Sequence, residues 1–271
     1  METINIAHEL RSGRHYGVFI DDTGSPGLNT PGLNAQRKSW VAVLVAPSQI
    51  AEVMDEMPKA LSFLSELGLN NPEFHFTDIL AGQGEFKKLD LQQRLALFEF
   101  MAHIFSVYRF DVLVQTLAQD NASDIHSRAH WPQHFGPLKF KNHEDLALIF
   151  ALLRVRMHLR SISGGTSTAC VVVDEGRLKN GTAIVIPSLA PEFHAGAILF
   201  ANSRHVLPLQ LADFAAFVMN RSQLVRVREQ LSDIDKKFME IVSPIAERFI
   251  NIDAVRLQGW PDLANVQQGL N

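Results

Sequence analysis

The chain has 271 residues, of which 46% are hydrophobic, so it is long enough to bury a substantial core. Its 25 Lys and Arg against 29 Asp and Glu give a formal net charge of −4, which excludes attraction to nucleic acid or anionic membranes by an overall basic field. The N-terminus lacks a basic segment followed by an apolar one, and the longest uncharged apolar run is 146–153, so we expect a cytoplasmic protein with no membrane partner.

The first half of the chain alternates between predicted strands and helices. Apolar runs and turn residues predict them in this order: strand 16–22, strand 39–46, helix 48–67, strand-like segment 73–78, helix 91–105 and strand 108–117. The first two strands are joined by a long loop rich in Gly and Pro, and we expect them to pair antiparallel.

The second half continues the alternation after a long polar loop. The predicted order is loop 119–141, helix 145–159, strand 168–173, helix 178–188, a weaker strand 195–201, helix 207–228 and helix 233–249. The strand 168–173 contains Cys170, the one cysteine, which we interpret as a small core residue. Together these elements predict an α/β fold with a mixed sheet, antiparallel strands first and then parallel ones, flanked by helices. We expect one domain over 1–271, with its core at about 16–228 and a helical extension at 229–271.

The first strand ends in two acids followed by a turn, Asp21-Asp22-Thr23-Gly24-Ser25. The tetrapeptide Asp-Thr-Gly-Ser is also found in pepsin-like proteases. Those enzymes are nearly all β and need a second Asp-Thr-Gly, which this chain does not contain, so we set the protease interpretation aside.

A second apolar strand also ends at acids, Asp174 and Glu175. If the two strands are neighbours, Asp21 and Asp174 lie close together, and a divalent cation relieves their repulsion best. The alternative is that acids at strand ends simply meet solvent, and the occurrence of two such ends favours a site.

A third acid, Asp213, lies in an otherwise apolar predicted helix, on one stripe with Gln210 and Asn220. A buried aspartate needs a partner. It is either a ligand of the same site or a structural acid paired with Arg221 or Arg204.

The segment Glu73-Phe74-His75-Phe76 supplies two further candidates, because Glu73 and His75 share one side of an extended segment. Either could bind metal or handle a proton. A histidine between phenylalanines is also commonly a hydrogen-bonded core residue.

Four motifs, in this order along the chain, resemble one prokaryotic family, the domain of unknown function 3800. They are Tyr-Gly-Val-Phe-Ile-Asp-Asp-Thr-Gly at 16–24, Pro-Glu-Phe-His-Phe-Thr-Asp-Ile at 72–79, Val-Val-Val-Asp-Glu at 171–175, and Asn-Ser at 202–203 with Leu-Gln-Leu-Ala-Asp-Phe at 209–214. Members of that family resemble ribonuclease H-like nucleases. The family usually has Asp-Glu-Ser-Gly where this chain has Asp21-Asp22-Thr23-Gly24, which leaves the role of Asp22 open.

The resemblance implies a metal-dependent nuclease in which Asp21, Asp174 and Asp213 hold two Mg²⁺ or Mn²⁺ ions about 4 Å apart. Glu73 is then a fourth candidate ligand and His75 a proton shuttle or substrate contact. Three further residues would orient ligands or contact the scissile phosphate: Ser203, Gln210 and Arg221. The implied partner is DNA or RNA, and a homodimer is compatible with the sequence.

A nuclease also needs a phosphate-binding surface, for which the chain offers two local basic runs. These are Arg154, Arg156 and Arg160 in one predicted helix, and Arg221, Arg226 and Arg228 after Asp213. Such runs are commonly solvated helix faces, and the second run is the better candidate because it follows Asp213.

A histidine series spaced by four, His126, His130 and His134, would align on a helix as transition-metal ligands, but Pro132 argues against a continuous helix there. We favour a polar loop near the cleft over a zinc site.

Two alternatives to a nuclease stay open: a non-catalytic member of the same fold that binds nucleic acid or protein, and a phosphoesterase acting on small substrates. The first has no reason to keep three unpaired acids, because they would repel phosphate.

Overall fold

The computed structural model describes residues 6–23, 37–70, 73–118, 134–139 and 142–250. In these ranges the helices are α1 Ile6–Arg11, α2 Ile50–Glu66, α3 Phe76–Ala81, α4 Leu91–Tyr108, α5 His143–Ser163, α6 Leu209–Arg226 and α7 Asp233–Ala246. The strands are β1 Tyr16–Asp22, β2 Arg37–Val45, β3 Asp111–Ala118, β4 His134–Phe135, β5 Leu138–Lys139, β6 Ala169–Asp174, β7 Thr182–Val185, β8 Phe193–Ala201 and β9 Phe249–Ile250. Short 3₁₀ turns cover Gly84–Lys88 and Pro187–Leu189.

Seven of these strands form one mixed sheet in the order β7-β8-β6-β1-β2-β3-β9. β1, β2 and β3 pair antiparallel, whereas β6 runs parallel to β1, and β8 runs parallel to β6. The outer strands add β7 antiparallel to β8 and β9 parallel to β3. The predicted α/β class, with antiparallel first strands followed by parallel ones, is therefore confirmed. Because β1 and β6 are parallel neighbours, their carboxyl ends meet at one edge of the sheet.

Both faces of the sheet are buried, which explains why its strands are continuous apolar runs. One face, containing Phe19 and Val172, packs beneath α2, α4, α6 and α7. The opposite face packs against α5. Side chains alternate along a strand, so the residues two positions beyond Phe19 and Val172 leave the sheet on the α6 side. Those residues are Asp21 and Asp174.

Element boundaries agree closely where a local signal sets them. β1 covers 16–22 as predicted, and α4 begins at a capping box in which Asp90 and Gln93 bond each other's backbone. The same helix runs past its predicted end to Tyr108, where Arg109 adopts a left-handed conformation with φ 53° and stops it.

Two predicted elements are wrong. The strand-like segment 73–78 is an extended stretch of three residues followed by α3, because Phe74 and Phe76 are both buried anchors and the helix starts at the second of them. The predicted helix 178–188 is instead the edge strand β7 and a 3₁₀ turn. The β-branched side chains of Thr182, Ile184 and Val185 favour pairing with β8 over a helix.

The structure adds strands and a helix that the sequence did not predict, namely α1, the short strand β9, and the β4–β5 hairpin within the predicted loop 119–141. The predicted C-terminal helix is confirmed as α7, and residues 251–271 of the expected extension lie outside the described residues. His126 and His130 also lie outside them, while His134 belongs to the small β4–β5 hairpin. None of the described helices combines the length and apolar character needed to cross a bilayer.

A buried ion-pair network fixes α7 to α6. The Asp235 side chain is 0% exposed and accepts hydrogen bonds from Arg221 Nη2 and Arg228 Nη1, both at 2.6 Å, and from Ser232 Oγ at 2.8 Å. Burial opposes ionisation, but these donors hold the pKa of Asp235 below its usual range. The carboxylate is thus a structural acid.

We expect Asp235→Ala to destabilise the protein by roughly 3 kcal/mol, because it removes the buried carboxylate that neutralises Arg221 and leaves a cavity in its place. Urea unfolding monitored by circular dichroism measures this difference. Asp233→Ala is the matched control, since the Asp233 side chain is 99% exposed. Equal midpoints for the two variants would contradict the structural role of Asp235.

Candidate active site

A cleft of about 750 Å³ opens at the carboxyl edge of β1 and β6, beneath α6. Four parts of the chain contribute polar side chains to it: the two strand ends, α3 with the segment before it, α6 with the turn that precedes it, and the N-cap of α7. The polar and charged lining residues are Asp21, Asp22, Thr23, Glu73, His75, Thr77, Asp174, Ser203, Asp213, Asn220, Arg221 and Ser232.

Asp213 reaches this cleft because of its position on α6. Most of this helix is buried against β1 and β2, but residues 209, 213, 217, 220 and 224 line the cleft. Their spacing of three or four residues makes one stripe of an α-helix. Asp213 is the one acid in that stripe, so the helix presents a single carboxylate to the two strand ends.

The segment before α3 is fixed by its aromatic residues. Phe74 and Phe76 are fully buried, and Phe76 packs against Phe214 of α6 with ring centroids 4.7 Å apart. Glu73 and His75 alternate with these anchors and line the cleft. The sequence pattern therefore brings both predicted residues to the site, although the segment is not a strand.

Glu73 is held by two donors from the turn before α6. Ser203 Oγ donates to Glu73 Oε1, and Arg204 Nε donates to Glu73 Oε2 at 2.7 Å. Burial opposes the charge, but these hydrogen bonds outweigh it and lower the pKa of Glu73. Glu73 is thus an ionised, oriented carboxylate at neutral pH.

The other three acids behave in the opposite way. Burial and then the charges of Asp213 and Asp174 raise the pKa of Asp21 well above its usual range. Burial also raises the pKa of Asp174 to about 6 and that of Asp213 to about 8, with neighbouring carboxylates adding to both shifts. Among the described residues, no lysine, arginine or histidine side chain forms an ion pair with any of these three carboxyl groups.

The predicted site requires the three carboxylates to converge, and they do so incompletely. They line one cleft and their charges shift each other's pKa. Their oxygens do not, however, all lie within 4.8 Å of one another, the separation that a single shared ion needs. The charges of Asp213 and Asp174 both raise the pKa of Asp21, and the charge of Asp174 also raises that of Asp213.

The alternative that Asp213 is a structural acid paired with an arginine is wrong. Arg204 bonds Glu73, and Arg221 bonds Asp235. Within the described part of the chain, no donor or cation contacts the Asp213 carboxylate. Asp22, whose role was open, lies beside Lys38, with Asp22 Oδ1 2.7 Å from Lys38 Nζ, and its backbone N–H donates to Asp21 Oδ1 at 2.7 Å.

Gln210 is buried behind the cleft lining and bonds the backbone of two segments that form the cleft. The side chain is 1% exposed, its Oε1 accepts from the Phe74 backbone N–H at 3.1 Å, and its Nε2 donates to the Ser203 carbonyl at 3.2 Å. It thereby joins the two segments that carry Glu73 and Ser203. A positioning role fits this geometry, with Ser203 rather than Gln210 facing the cleft.

The predicted basic runs are largely engaged elsewhere. Arg156 and Arg160 both bond the buried Glu192, and Arg154 donates to the Val114 carbonyl, all on the α5 side of the sheet. Of the second run, Arg221 lines the cleft. Arg221 is the one arginine or lysine among the described lining residues.

A second titratable cluster was missed by sequence reasoning. Glu9 on α1, His15 before β1 and His194 on β8 have ligand atoms that all lie within 4.8 Å of one another, so this cluster could hold a metal ion. Burial and the neighbouring His194 lower the pKa of His15. Glu9 and His15 are six residues apart, but His194 is distant in sequence, and no local spacing indicates the three as one cluster.

The chain matches no family model, no curated protein and no solved structure. The resemblance to the domain of unknown function 3800 and to ribonuclease H-like nucleases therefore stays a prediction from the sequence motifs.

Proposed function

We propose that this protein is a divalent-metal-dependent phosphodiester hydrolase, with a nuclease as its most fitting class. One observation carries the proposal. Asp21, Asp174 and Asp213 come from three separate elements to one cleft, and burial, followed by the charges of neighbouring carboxylates, raises their pKa values. No positive group of the described chain bonds to any of the three. Uncompensated carboxylates are costly, and perturbed acids gathered in a cleft are characteristic of functional sites.

The donor set fits Mg²⁺ or Mn²⁺. Hard cations of this kind prefer carboxylate oxygens, and the three acids supply them without nitrogen or sulfur ligands. Asp174 and Asp213 would each hold one of two ions, and Asp21 would be shared, since the charges of both others reach it. Two such ions supply an activated water and charge stabilisation on the leaving oxygen. Two ions also explain why all three carboxylates need not lie within the reach of one.

The remaining lining residues take supporting roles in this proposal. Glu73 is a candidate fourth ligand, because each of its oxygens keeps a lone pair beyond the bonds from Ser203 and Arg204. His75 is exposed at the cleft and is a candidate for proton transfer. Arg221, positioned by Asp235, is the candidate contact for a substrate phosphate.

The sheet supports a ribonuclease H-like fold. Three antiparallel strands come first, and β6 and β8 are then added parallel on the other side of β1. Acids at the ends of β1 and β6 and on a later helix occupy the positions that the motif resemblance implies. The proposal of a nuclease rests on this arrangement together with the carboxylates.

A small-substrate phosphoesterase is the second candidate, favoured by the size and charge of the cleft. A volume of about 750 Å³ is in the range of small-molecule sites, and one arginine among the described lining residues offers little for a long phosphate backbone. A non-catalytic nucleic-acid-binding protein is disfavoured, because three unpaired acids would repel phosphate.

We expect the purified protein to hydrolyse at least one phosphodiester with Mg²⁺ or Mn²⁺ and to lose that activity in EDTA. The panel contains single- and double-stranded DNA, RNA, RNA–DNA hybrid, a cyclic dinucleotide and bis(p-nitrophenyl) phosphate. Asp174→Asn should reduce the rate by at least about 100-fold, because it removes a carboxylate ligand. Asp55→Asn, an exposed position on α2, is the control.

The substrate that is cleaved separates the candidates. Hydrolysis of polymers supports a nuclease, whereas hydrolysis of only the small diesters supports a phosphoesterase. No metal-dependent hydrolysis of any substrate, or equal rates for wild type and Asp174→Asn, would overturn the proposal.

A further inference from the structure

We propose that Glu9, His15 and His194 bind one Zn²⁺ ion at a site separate from the carboxylate cleft. His15 precedes β1, and Thr168, which it contacts, precedes β6. The cluster therefore lies at the amino ends of these strands, whereas Asp21 and Asp174 lie at their carboxyl ends. This inference does not depend on the proposed hydrolase activity.

The spacing of the ligand atoms suits zinc. Zinc binds histidine nitrogen and carboxylate oxygen at about 2.1 Å, so two ligands at a tetrahedral angle are about 3.4 Å apart. His15 Nε2 lies 3.4 Å from Glu9 Oε2. The His15 and His194 rings are also close, with centroids 4.5 Å apart. Two imidazoles and one carboxylate form a three-ligand set that zinc commonly occupies, with water as the fourth ligand.

His15 is oriented for this role by Thr168. Its Nδ1 lies 2.6 Å from Thr168 Oγ1, so that nitrogen is engaged and Nε2 faces Glu9. Metal-binding histidines usually have such a contact on their second nitrogen, which fixes the tautomer and the ring orientation. With Nδ1 donating to Thr168, the lone pair of Nε2 is available to a cation.

His194 is presented by a bulge in β8. The pairing with β6 passes from Ala169 with Phe193 to Val171 with Ile198, so extra residues of β8 leave the regular ladder between these pairs. Ala195 and Gly196 adopt left-handed conformations, with φ of 52° and 66°. A Cβ at Gly196 would lie 2.6 Å from the Ile186 carbonyl oxygen. Bulges of this kind re-aim a side chain, and a non-glycine residue with positive φ is costly to maintain.

Among the described residues, two basic side chains outside the proposed ligand set contact the same carboxylate. His8 Nδ1 lies 3.6 Å from Glu9 Oε1, and the His8 side chain is 73% exposed. Arg14 Nη2 lies 2.8 Å from Glu9 Oε2, but the Arg14 side chain is 64% exposed and can move into solvent. Zinc would replace this ion pair with a link among three segments: α1, the turn before β1, and β8. The consequence is that the ion fixes α1 to the sheet.

The first test uses the full-length wild-type chain without a histidine tag. Titration with Zn²⁺ in a calorimeter should show one high-affinity equivalent, and Co²⁺ should produce the visible absorption bands of a low-coordinate site. Zn²⁺ should also protect His15 and His194, but not the exposed His103, from modification by diethyl pyrocarbonate, as mapped by mass spectrometry. Absence of stoichiometric binding, or equal modification with and without Zn²⁺, would overturn the site without any variant.

The second test assigns the ligands. His194→Gln should weaken Zn²⁺ binding by at least about 100-fold, and Thr168→Val by about 10-fold, because the first removes a ligand and the second only its orientation. His103→Gln is the matched control. Asp213→Asn should still bind one Zn²⁺ ion per chain, which would show that this site is separate from the cleft. If Asp213→Asn lost the tightly bound Zn²⁺ ion and His194→Gln kept it, the assignment of Glu9, His15 and His194 as its ligands would be refuted.

Discussion

Asp213→Asn should abolish metal-dependent hydrolysis and, in the same preparation, raise the melting temperature measured in EDTA. The activity should fall by at least about 100-fold, because the amide cannot replace a carboxylate as a ligand of a divalent cation. The stability should rise because burial and the neighbouring charges of Asp174 and Glu73 make the ionised Asp213 costly, as its pKa of about 8 indicates. We expect a gain of roughly 1 to 3 kcal/mol near neutral pH, because the buried carboxyl must take up a proton on folding whereas an amide of equal size needs none.

The paired measurement distinguishes a functional acid from a structural one. Neutralising a structural acid such as Asp235 should destabilise the protein, because it leaves the charges of its arginine partners uncompensated. Neutralising a metal-binding acid that has no positive partner should instead stabilise the protein and abolish its function. For Asp213→Asn, the melting temperature measured by calorimetry in EDTA should therefore rise, while the single-turnover rate of hydrolysis should fall. A decrease in both would indicate that Asp213 maintains the fold.

The residues that could be predicted from sequence are those whose signal is local. β1 and β6 are apolar runs that end at acids, and the period of two along a strand directs Asp21 and Asp174 to the α6 face. Asp213 was identifiable because it interrupts an apolar helix. The alternation of Glu73 and His75 with two phenylalanines likewise indicated which side chains face the cleft.

What could not be predicted depends on contacts between distant segments. The alternation over 73–78 resembles a strand, yet Phe76 begins α3, because the aromatic anchors pack against α4 and α6 rather than against another strand. The cluster of Glu9, His15 and His194 arises from α1, a turn and a bulge. In the bulge Gly196 approaches Ile186 closely, and although an isolated glycine in a strand is a local signal of a bulge, it does not indicate which histidine and glutamate the bulge meets.

The partners of the arginines were equally inaccessible. Arg221 follows Asp213 on the same helix and was a plausible partner for it, but α7 brings Asp235 to that arginine instead. Within the described residues, this tertiary contact leaves Asp213 without a bonded cation. The proposed divalent ion would supply the missing positive charge.

Mg²⁺ should offset part of the pH dependence of stability that the metal-free carboxylates cause. Asp174 and Asp213 have folded pKa values of about 6 and about 8, both above the ordinary value of 3.8. Between 3.8 and these values the folded state binds more protons than the unfolded state, so their contribution to stability is fully present below 3.8 and is lost as pH rises to about 8. In EDTA, the free energy of unfolding should therefore decrease over this window.

Mg²⁺ competes with those protons, so its stabilising effect should grow over the same window. At about 100 times its Kd it should add about 2.7 kcal/mol near pH 8 and much less near pH 5. Urea unfolding at both pH values, with Mg²⁺ or EDTA, measures the difference. Mg²⁺ is the appropriate ion because the histidine cluster disfavours it. Asp174→Asn should reduce the Mg²⁺ effect, whereas His194→Gln should leave it unchanged. A Mg²⁺ effect that is equal at both pH values would contradict the assignment of these carboxylates as its ligands.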